Sequence, residues 1–297
     1  MDTAVLDLPG DIDTSSDAAD TDSGLVRWWL CFPSRMGGTR WYDMIDGSVG
    51  TLTAMALNPT ATSGWGFGSR PGGYGELRFD GVDDYVTIAD SAIMEMGSSD
   101  YTISLWMYKP DITTYGLFFY HFTPTGDQRS FAFRTDNASN RQLLLITSGN
   151  GIDSKVLTSS SNVWSANKHE HIVVTKSGTV GTFYVNGAVV GDDATALDAT
   201  IFDGTGDFRI GATNDSSVFS LITIDDLRIY NRKLSAQEVA VLYERSRTGY
   251  PNLFEDSLLD YAAAPAVVGG STGGPLIGPG RLMQGLLIGP GRLARAA

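Results

Sequence analysis

The chain has 297 residues and a formal net charge of −13, from 34 acidic against 21 basic side chains. An acidic balance of this size excludes nucleic acid as the main partner, because phosphate binding requires clustered lysine and arginine. The 35 glycines and the aromatic share of 10% favour a turn-rich, all-β protein, and the single cysteine excludes an internal disulfide and any cysteine-based zinc site.

The acidic excess is concentrated at the N-terminus. Residues 1–24 contain seven aspartates and no lysine, arginine or glutamate. Because this segment has too few apolar residues to offset the entropy of ordering, it is predicted to form an extended acidic arm. It also lacks the basic and apolar regions of a signal peptide, so we expect the protein to stay in the cytosol or to leave by a route other than ordinary secretion. No apolar run is long enough to span a membrane, and no membrane insertion is expected.

The single cysteine, Cys31, lies in the apolar sequence Trp-Trp-Leu-Cys-Phe. A cysteine becomes reactive in an accessible, electropositive environment, which these neighbours do not offer. The sequence therefore predicts a buried and inert thiol.

Residues 25–250 are dense in strand patterns and are predicted to form one domain. Positions 101, 103, 105 and 107 form one apolar face, and Pro110 ends this strand. Asn186-Gly187 joins two β-rich runs and predicts a type I′ hairpin, because both residues tolerate a positive φ. Further strands are predicted at 143–146, 171–176, 182–185, 208–210 and 224–230. Together these patterns predict two stacked antiparallel sheets.

One short helix is predicted at the C-terminal end of this domain. Ser235 and Glu238 form a capping box, in which each side chain accepts a hydrogen bond from a free backbone N–H of the first turn. Apolar residues follow on one face, and Gly249 marks the end of the helix. The apolar face consists of Val239, Leu242 and Tyr243.

The motifs of this domain occur in a characteristic order. Residues 77–86 read LRFDGVDDYV and precede the strand at 101–107, and they are followed by FYVNG at 183–187 and IDDLRIYNRKLS at 224–235. With the opening GLVRWW of residues 24–29, this series resembles the laminin-G-like, concanavalin A-like jelly-roll domains. The resemblance implies an all-β, antiparallel two-sheet jelly-roll β-sandwich, often with a calcium site and a glycan-binding edge. It implies no single function, because the same sandwich carries lectins, enzymes and inert structural modules.

The calcium site that the resemblance implies would use Asp80, Asp83 and Asp84, on a turn between strands. Clustered carboxylates suit a hard cation that takes oxygen ligands, so calcium is the candidate cofactor. The alternative is a tight turn at Asp80-Gly81, whose carboxylate accepts hydrogen bonds from nearby backbone N–H groups. The sequence is compatible with both interpretations.

The segment at 224–235 contains two further adjacent aspartates, Asp225 and Asp226, which can face inward or toward solvent. Strand alternation places one of the two carboxylates inward and its neighbour on the exposed side. We expect the inward carboxylate to accept hydrogen bonds from loop backbone.

Glycan binding usually requires a loop aromatic that stacks on a sugar ring beside polar side chains. Aromatic residues near predicted loops include Tyr42 and Tyr115, and the selected candidates are Trp41, Trp65, Trp164 and His121. For each of them, packing in the core or against a loop is the alternative. Trp41 and Trp65 lie in glycine-rich, arginine-bearing stretches that depart from the family pattern, which predicts either specialised binding loops or subunit contacts.

Common catalytic motifs are missing from the sequence. It has three histidines and no nucleophile elbow, HExxH motif or glycine-rich phosphate loop. The two glutamates on one strand that glycosidases of this fold commonly carry are also missing. We therefore expect a protein that is not an enzyme.

Residues 251–297 are predicted to form an extended C-terminal arm with an internal repeat. The sequence LIGPGRL occurs at 276–282 and again at 287–293. Gly-Pro-Gly forces a turn, and the flanking leucine and isoleucine need burial that the tail cannot supply to itself. We expect the arm to dock into grooves or onto sheet edges of a neighbouring subunit, and a recent duplication in a flexible linker is the alternative. The docking residues are Leu276, Ile277, Arg281, Leu282, Leu287, Ile288, Arg292 and Leu293.

A lectin-like domain without a disulfide or an export signal fits a phage virion protein that assembles in the host cytoplasm. The arms would bind the particle, and the jelly roll would be displayed outward. The leading hypothesis is a non-enzymatic structural protein of a phage-like virion, either a capsid decoration or head fibre or a tail-associated component. Its expected partners are other copies of itself, other virion proteins and host-surface glycans. The alternative is an extracellular, calcium-dependent carbohydrate-binding protein.

Overall fold

Sixteen strands in two antiparallel sheets and one helix make up the described part of the chain. In the computed structural model these residues are 21–32, 36–56, 60–68, 70–123, 125–137, 140–193 and 197–249. The two sheets pack face to face, which confirms the predicted antiparallel, jelly-roll β-sandwich.

Sheet A has eight strands. They are β1 (Leu25–Trp29), β4 (Gly64–Phe67), β5 (Gly75–Asp80), β7 (Tyr101–Tyr108), β12 (His169–Ser177), β13 (Val180–Val185), β14 (Ala188–Asp193) and β16 (Leu221–Tyr230). Their order is β14-β13-β12-β7-β16-β5-β4, and β1 also pairs with β16. The first half of β16 pairs with β5 and its second half pairs with β1, so these two strands share one edge of β16.

Sheet B also has eight strands. They are β2 (Arg40–Tyr42), β3 (Val49–Thr53), β6 (Tyr85–Ile88), β8 (Leu117–Thr123), β9 (Gln128–Thr135), β10 (Leu143–Thr147), β11 (Lys155–Thr158) and β15 (Phe208–Ile210). Their order is β11-β10-β9-β8-β15-β6-β3-β2. Strands β6, β15 and β8 are therefore neighbours although they are far apart in the sequence.

The core lies between the two sheets. Along β7 the side chains of Ile103, Leu105 and Met107 are fully buried, and they alternate with residues on the outer face of sheet A. Phe133 of sheet B stacks on Phe183 of sheet A, with ring centroids 6.1 Å apart. Aromatic pairs of this kind bury large apolar areas and hold the sheets together.

The strands predicted from the sequence are confirmed, with small changes at their ends. The strand predicted at 171–176 is β12, which begins two residues earlier at His169, and the strand predicted at 224–230 is β16, which begins at Leu221. The predicted hairpin joins β13 to β14, and its turn residues Asn186 and Gly187 have φ values of 50° and 80°. Both values lie in the positive region that a type I′ turn requires.

The predicted helix, α1 (Ala236–Thr248), lies on the outer face of sheet A. Ser235 Oγ accepts a hydrogen bond from the Glu238 backbone at 3.2 Å, and Glu238 Oε2 accepts one from the Ser235 backbone at 2.7 Å, which confirms the capping box. Val239 and Leu242 are buried against a cluster that includes Tyr230 of β16. Within the described ranges no helix is both long and apolar enough to cross a membrane.

The folded contacts begin before the predicted end of the N-terminal arm. Thr21 Oγ1 accepts a hydrogen bond from Arg245 of α1 at 2.7 Å, and the Ser23 carbonyl accepts one from Arg232 at 2.7 Å. Residues 21–24 therefore pack on the domain, because α1 and the segment before it supply donors to them. The remainder of that arm and the C-terminal arm, with all eight docking residues, lie outside the described residues, and their roles stay predictions.

Candidate functional site

A bulge in β16 turns two adjacent aspartates toward one arginine. The register against β7 shifts between Asp225 and Arg228, and Asp226 has a φ of 55°. Arg70 Nη2 lies 2.7 Å from Asp225 Oδ2 and 3.7 Å from Asp226 Oδ2, and both aspartates are buried. The expectation that one of these carboxylates is exposed is wrong, because the bulge interrupts the alternation of the strand.

These two aspartates attach β1 to β16. Asp225 Oδ1 accepts a hydrogen bond from the Cys31 backbone at 2.9 Å, as expected for an inward carboxylate, and Asp226 Oδ1 accepts one from Trp28 Nε1 at 2.7 Å. Burial raises the pKa of Asp225, and Arg70 opposes that shift. Cys31 is buried, as predicted, and burial raises the pKa of its thiol well above its ordinary value, which disfavours the reactive thiolate. The two aspartates therefore have a structural role, because they hold residues 28–31 against β16.

The three predicted calcium ligands lie together on the turn between β5 and β6. One oxygen each from Asp80, Asp83 and Asp84 lies within 4.8 Å of the other two. Asp80 Oδ1 accepts hydrogen bonds from the backbones of Val82 at 2.8 Å and Asp83 at 3.4 Å, so the turn interpretation describes real contacts. Asp84 is buried, its Oδ2 accepts a bond from the Asp80 backbone at 3.0 Å, and its Oδ1 has no partner. Burial raises the pKa of Asp84, and the Ser63 hydroxyl opposes that shift.

The four selected glycan candidates are all buried. Trp41, Trp65, Trp164 and His121 are at most 5% exposed. Trp41 and Trp65 pack edge to face, with ring centroids 6.4 Å apart, and Trp65 Nε1 donates to the Gly38 carbonyl at 3.1 Å. A ring enclosed in this way cannot stack on a sugar, so the expectation that these residues form a platform is corrected in favour of core packing.

Partly exposed aromatic rings lie instead on the outer face of sheet B. We call this surface the tyrosine–arginine face. It consists of Tyr85, Tyr115, Tyr120, Phe122, Arg134, Ile146, Arg209, Val218 and Phe219. Most of these side chains are half-buried, and Tyr120 is buried at its centre.

Strand register makes this face continuous across the sheet. Arg209 of β15 lies opposite Tyr120 of β8, which lies opposite Ala132 of β9, and Ala132 lies opposite Ile146 of β10. Directly opposed residues have Cβ atoms about 5 Å apart on the same face. Ala132 is fully buried, so the larger side chains of Tyr120 and Ile146 cover it.

Two guanidinium groups hold the rings of this face in place. The Arg209 guanidinium lies 4.5 Å from the ring centroid of Tyr85, and that of Arg134 lies 4.4 Å from the ring of Tyr115. Arg209 Nη1 also donates to the Thr213 carbonyl at 3.2 Å, which fixes its position. Burial raises the pKa of Tyr120, so its hydroxyl stays protonated at neutral pH.

Sequence reasoning considered Tyr115 and missed Tyr85 and Tyr120. Strand alternation in the sequence indicates that these two tyrosines face outward. Val86 is a core residue, so its neighbour Tyr85 must face outward. In the same way Phe119 is a core residue, and its neighbour Tyr120 faces outward. Both rings lie on strands, whereas sugar-stacking aromatics are expected on loops.

A second cluster of ionisable side chains lies at the other end of β6. Asp90 follows that strand, Glu95 lies in the next loop, and His121 lies on β8, with one potential ligand atom of each within 4.8 Å of the others. Burial raises the pKa of Glu95 to about 9, and contacts with Asp90 and Asp203 add to this shift. Burial lowers the pKa of His121. No local sequence pattern marks this cluster, because the order β8-β15-β6 assembles it from distant segments.

Residues 80–240 match the sequence family described as the concanavalin A-like lectin/glucanases superfamily. The matched segment begins at Asp80, in the first carboxylate cluster, and ends within α1. No curated protein matches the chain in sequence.

Several solved structures share the fold at low sequence identity. The Trypanosoma rangeli sialidase in complex with the inhibitor DANA has a TM-score of 0.57 and 18% identity, over 82% of this chain and 36% of that one. The binding domain of botulinum neurotoxin serotype G has a TM-score of 0.55 and 15% identity, over 74% and 50% of the two chains. The binding domain of botulinum neurotoxin DC in complex with rat synaptotagmin II has a TM-score of 0.50 and 14% identity, over 75% and 52%. The chain spans about half of the neurotoxin domains and about a third of the sialidase, and the similarity concerns the fold.

Proposed function

The chain belongs to the concanavalin A-like lectin/glucanases superfamily, and from this premise we propose that it is a non-enzymatic, lectin-like module that binds glycans on the tyrosine–arginine face. The observation that carries this proposal is the pair of guanidinium–ring contacts, Arg209 on Tyr85 and Arg134 on Tyr115. Half-exposed rings that are held rigidly can stack on the apolar face of a sugar with little loss of side-chain entropy.

The charge of this face favours acidic glycans. The row that contains Arg209 continues through Thr87 and Thr51 to Arg40, which lies at the opposite edge of the sheet. The protein as a whole carries a net charge of −13, so a sheet face with several arginines differs in charge from the rest of the chain. A guanidinium group binds a carboxylate through two parallel hydrogen bonds, which suits sugars that carry a carboxylate.

The test is binding of the full chain to an array of acidic and neutral oligosaccharides. The wild-type chain is expected to retain acidic glycans, and the double variant Arg134→Gln/Arg209→Gln is expected to lose that retention. Arg78→Gln, which removes an arginine from sheet A, is the matched control and is expected to bind like the wild type. Absence of binding to every glycan, or full binding by the double variant, would contradict the proposal.

We further propose that Asp80, Asp83 and Asp84 hold a calcium ion. The oxygen-only donor set fits this hard cation, and the buried Asp84 Oδ1, which has no partner, supports a bound ion. A bound ion would fix the turn before β6. Tyr85 follows Asp84 directly, so the ion would also fix one ring of the tyrosine–arginine face.

The calcium proposal predicts a thermal shift. Calcium is expected to raise the melting temperature of the wild-type chain, because a ligand that binds only the folded state stabilises it. Asp83→Asn is expected to abolish this shift, whereas Asp153→Asn, an exposed aspartate elsewhere, is expected to keep it. Equal shifts in both variants would place the ion elsewhere.

We propose a virion as the setting of this module, with an extracellular lectin as the alternative. The support comes from the sequence, namely the acidic segment at 1–24 and the repeated LIGPGRL in the tail. The body would present its glycan-binding face, and the arms would contact other copies of the chain and other virion proteins. Co-expression with the structural proteins of the particle tests this. Deletion of 251–297 is expected to abolish incorporation while the core stays folded, and normal incorporation of the deleted form would exclude a docking role for the tail.

A further inference from the structure

We propose that Asp90, Glu95 and His121 form a binding site for a divalent metal ion of the zinc type, separate from the turn that contains Asp80. The two clusters lie at opposite ends of β6, so one ion cannot serve both. The proposal does not depend on glycan or calcium binding.

The three side chains already lie close to the geometry of a metal site. His121 Nδ1 lies 3.8 Å from Glu95 Oε1, and one ligand atom from each of the three residues lies within 4.8 Å of the others. Ligand atoms around a tetrahedral zinc ion are about 3.3 Å apart, so movements of about 1 Å would complete the coordination. Asp203 also contacts Glu95, but it does not belong to this group of three.

The second observation is the state of the buried polar atoms. His121 is 1% exposed, and neither Nδ1 nor Nε2 of its ring has a hydrogen-bond partner. Glu95 Oε1 is also buried without a hydrogen-bond partner, and the Glu95 carboxyl group lies beside the carboxyl groups of Asp90 and Asp203. Buried polar atoms in native proteins are almost always satisfied, and a cation between Nδ1 and Oε1 would satisfy both of these.

The packing around His121 aims Nδ1 into the cluster. Its ring lies on Phe208, with centroids 4.1 Å apart, and contacts Phe131 edge to face. Its Nε2 faces the backbone of Gly204, where an added Cβ would lie 3.3 Å away. The ring is therefore held with Nε2 toward backbone and Nδ1 toward Glu95.

The donor set distinguishes zinc from calcium. Zinc and similar ions combine imidazole nitrogen with carboxylate oxygen, whereas calcium takes oxygen ligands. The chain would thus carry two metal sites with different preferences. The site of Asp90, Glu95 and His121 includes an imidazole and suits zinc, whereas the site of Asp80, Asp83 and Asp84 offers only oxygen ligands and suits calcium.

The test uses the full chain, stripped of metal and titrated with Zn²⁺ against a chromophoric chelator in the presence of excess Ca²⁺. The wild type is expected to bind one zinc ion in this cluster. Glu95→Gln and Asp90→Asn are expected to weaken that binding by roughly tenfold or more. Asp83→Asn, in the other cluster, is the matched control and is expected to bind zinc like the wild type.

A melting experiment separates loss of the site from loss of the fold. Zinc is expected to raise the melting temperature of the wild type and not that of Glu95→Gln. Without metal, Glu95→Gln is expected to melt no lower than the wild type, because the Glu95 carboxyl group, which lies beside Asp90 and Asp203, is uncharged at neutral pH and glutamine replaces it with a neutral group of similar shape. Failure of the wild type to bind zinc, unchanged binding by Glu95→Gln, or loss of binding in Asp83→Asn alone would each overturn the proposal.

Discussion

Arg70 and Asp225 form a buried ion pair in which Nη2 and Oδ2 are 2.7 Å apart. Arg70 Nε donates to the same carboxylate oxygen at 2.7 Å, and Nη1 donates to the Ser246 carbonyl at 2.7 Å. One side chain therefore connects the segment before β5, the bulge of β16 and the last turn of α1. Because the pair is buried, loss of either partner weakens the compensation of a charge that water does not reach.

Asp225→Asn is expected to lower the free energy of unfolding by about 3 kcal/mol, because it removes the carboxylate that lies 2.7 Å from Arg70, whereas Asp226 lies 3.7 Å away. Urea unfolding measures this loss. Glu244→Gln, which removes an exposed ion pair with Arg247 on α1, is the control and is expected to leave the unfolding free energy unchanged within error. Equal behaviour of the two variants would show that the buried pair contributes nothing.

His171 is expected to make the protein less stable in acid. Burial lowers its pKa from 6.5 to about 3, and Arg228 and Arg70 add to this shift while Asp226 opposes it. The unfolded chain takes up a proton on this ring below about pH 6.5, whereas the folded chain does so only near pH 3. The contribution of His171 to stability is therefore complete above pH 6.5 and falls by roughly 1 kcal/mol per pH unit as the pH decreases toward 3.

The variant His171→Gln tests this dependence by urea unfolding at a series of pH values. It keeps a polar group near Ser104 Oγ, which lies 2.8 Å from His171 Nε2. The difference in unfolding free energy between the wild type and the variant is expected to shrink as the pH falls below 6.5. A difference that stays constant from pH 7 to pH 4 would contradict the assignment.

The capping box of α1 is expected to contribute measurably to stability. Ser235→Ala removes the hydroxyl that accepts the Glu238 N–H and should lower the free energy of unfolding by about 1 kcal/mol. Ser235→Asn restores a capping acceptor and is expected to recover most of that loss. If the asparagine variant is as unstable as the alanine variant, the cap is not the source of the effect.

Trp41 is expected to matter for stability and not for glycan binding. Trp41→Ala removes a fully buried ring from the core and should lower the free energy of unfolding by about 3 kcal/mol. At a temperature where the variant is folded, its retention on acidic glycans should equal that of the wild type. A folded Trp41→Ala protein that has lost glycan binding would place the binding site near β2 and not on the tyrosine–arginine face.

Local features of the fold could be predicted from the sequence, and features that depend on distant strands could not. The alternation of β7, the Asn186-Gly187 turn and the Ser235 cap each depend on residues within one segment. The orientation of Asp226 could not be predicted in this way. It depends on a bulge in β16 and on a hydrogen bond from Trp28 of β1, which is distant in sequence.

The same distinction between local and distant residues applies to the candidate sites. Asp80, Asp83 and Asp84 are neighbours in sequence, and they lie together as expected. His121 was selected as a loop aromatic, but it lies on β8 and faces Glu95, a contact that requires β15 to lie between β8 and β6. Strand order is a property of the whole sheet, so a motif search cannot supply it.

The pairing of β1 with β16 delays folding until most of the domain has been synthesised. Leu25 lies opposite Tyr230, so the first strand to leave the ribosome waits for the last strand of sheet A before it gains its partner. During that interval Trp28 and Trp29, which are buried in the finished domain, stay exposed on an unpaired strand. Contacts of such long sequence separation slow folding and favour aggregation of the nascent chain. Holdase chaperones that bind the tryptophan-rich first strand are therefore expected to raise the yield of the folded domain.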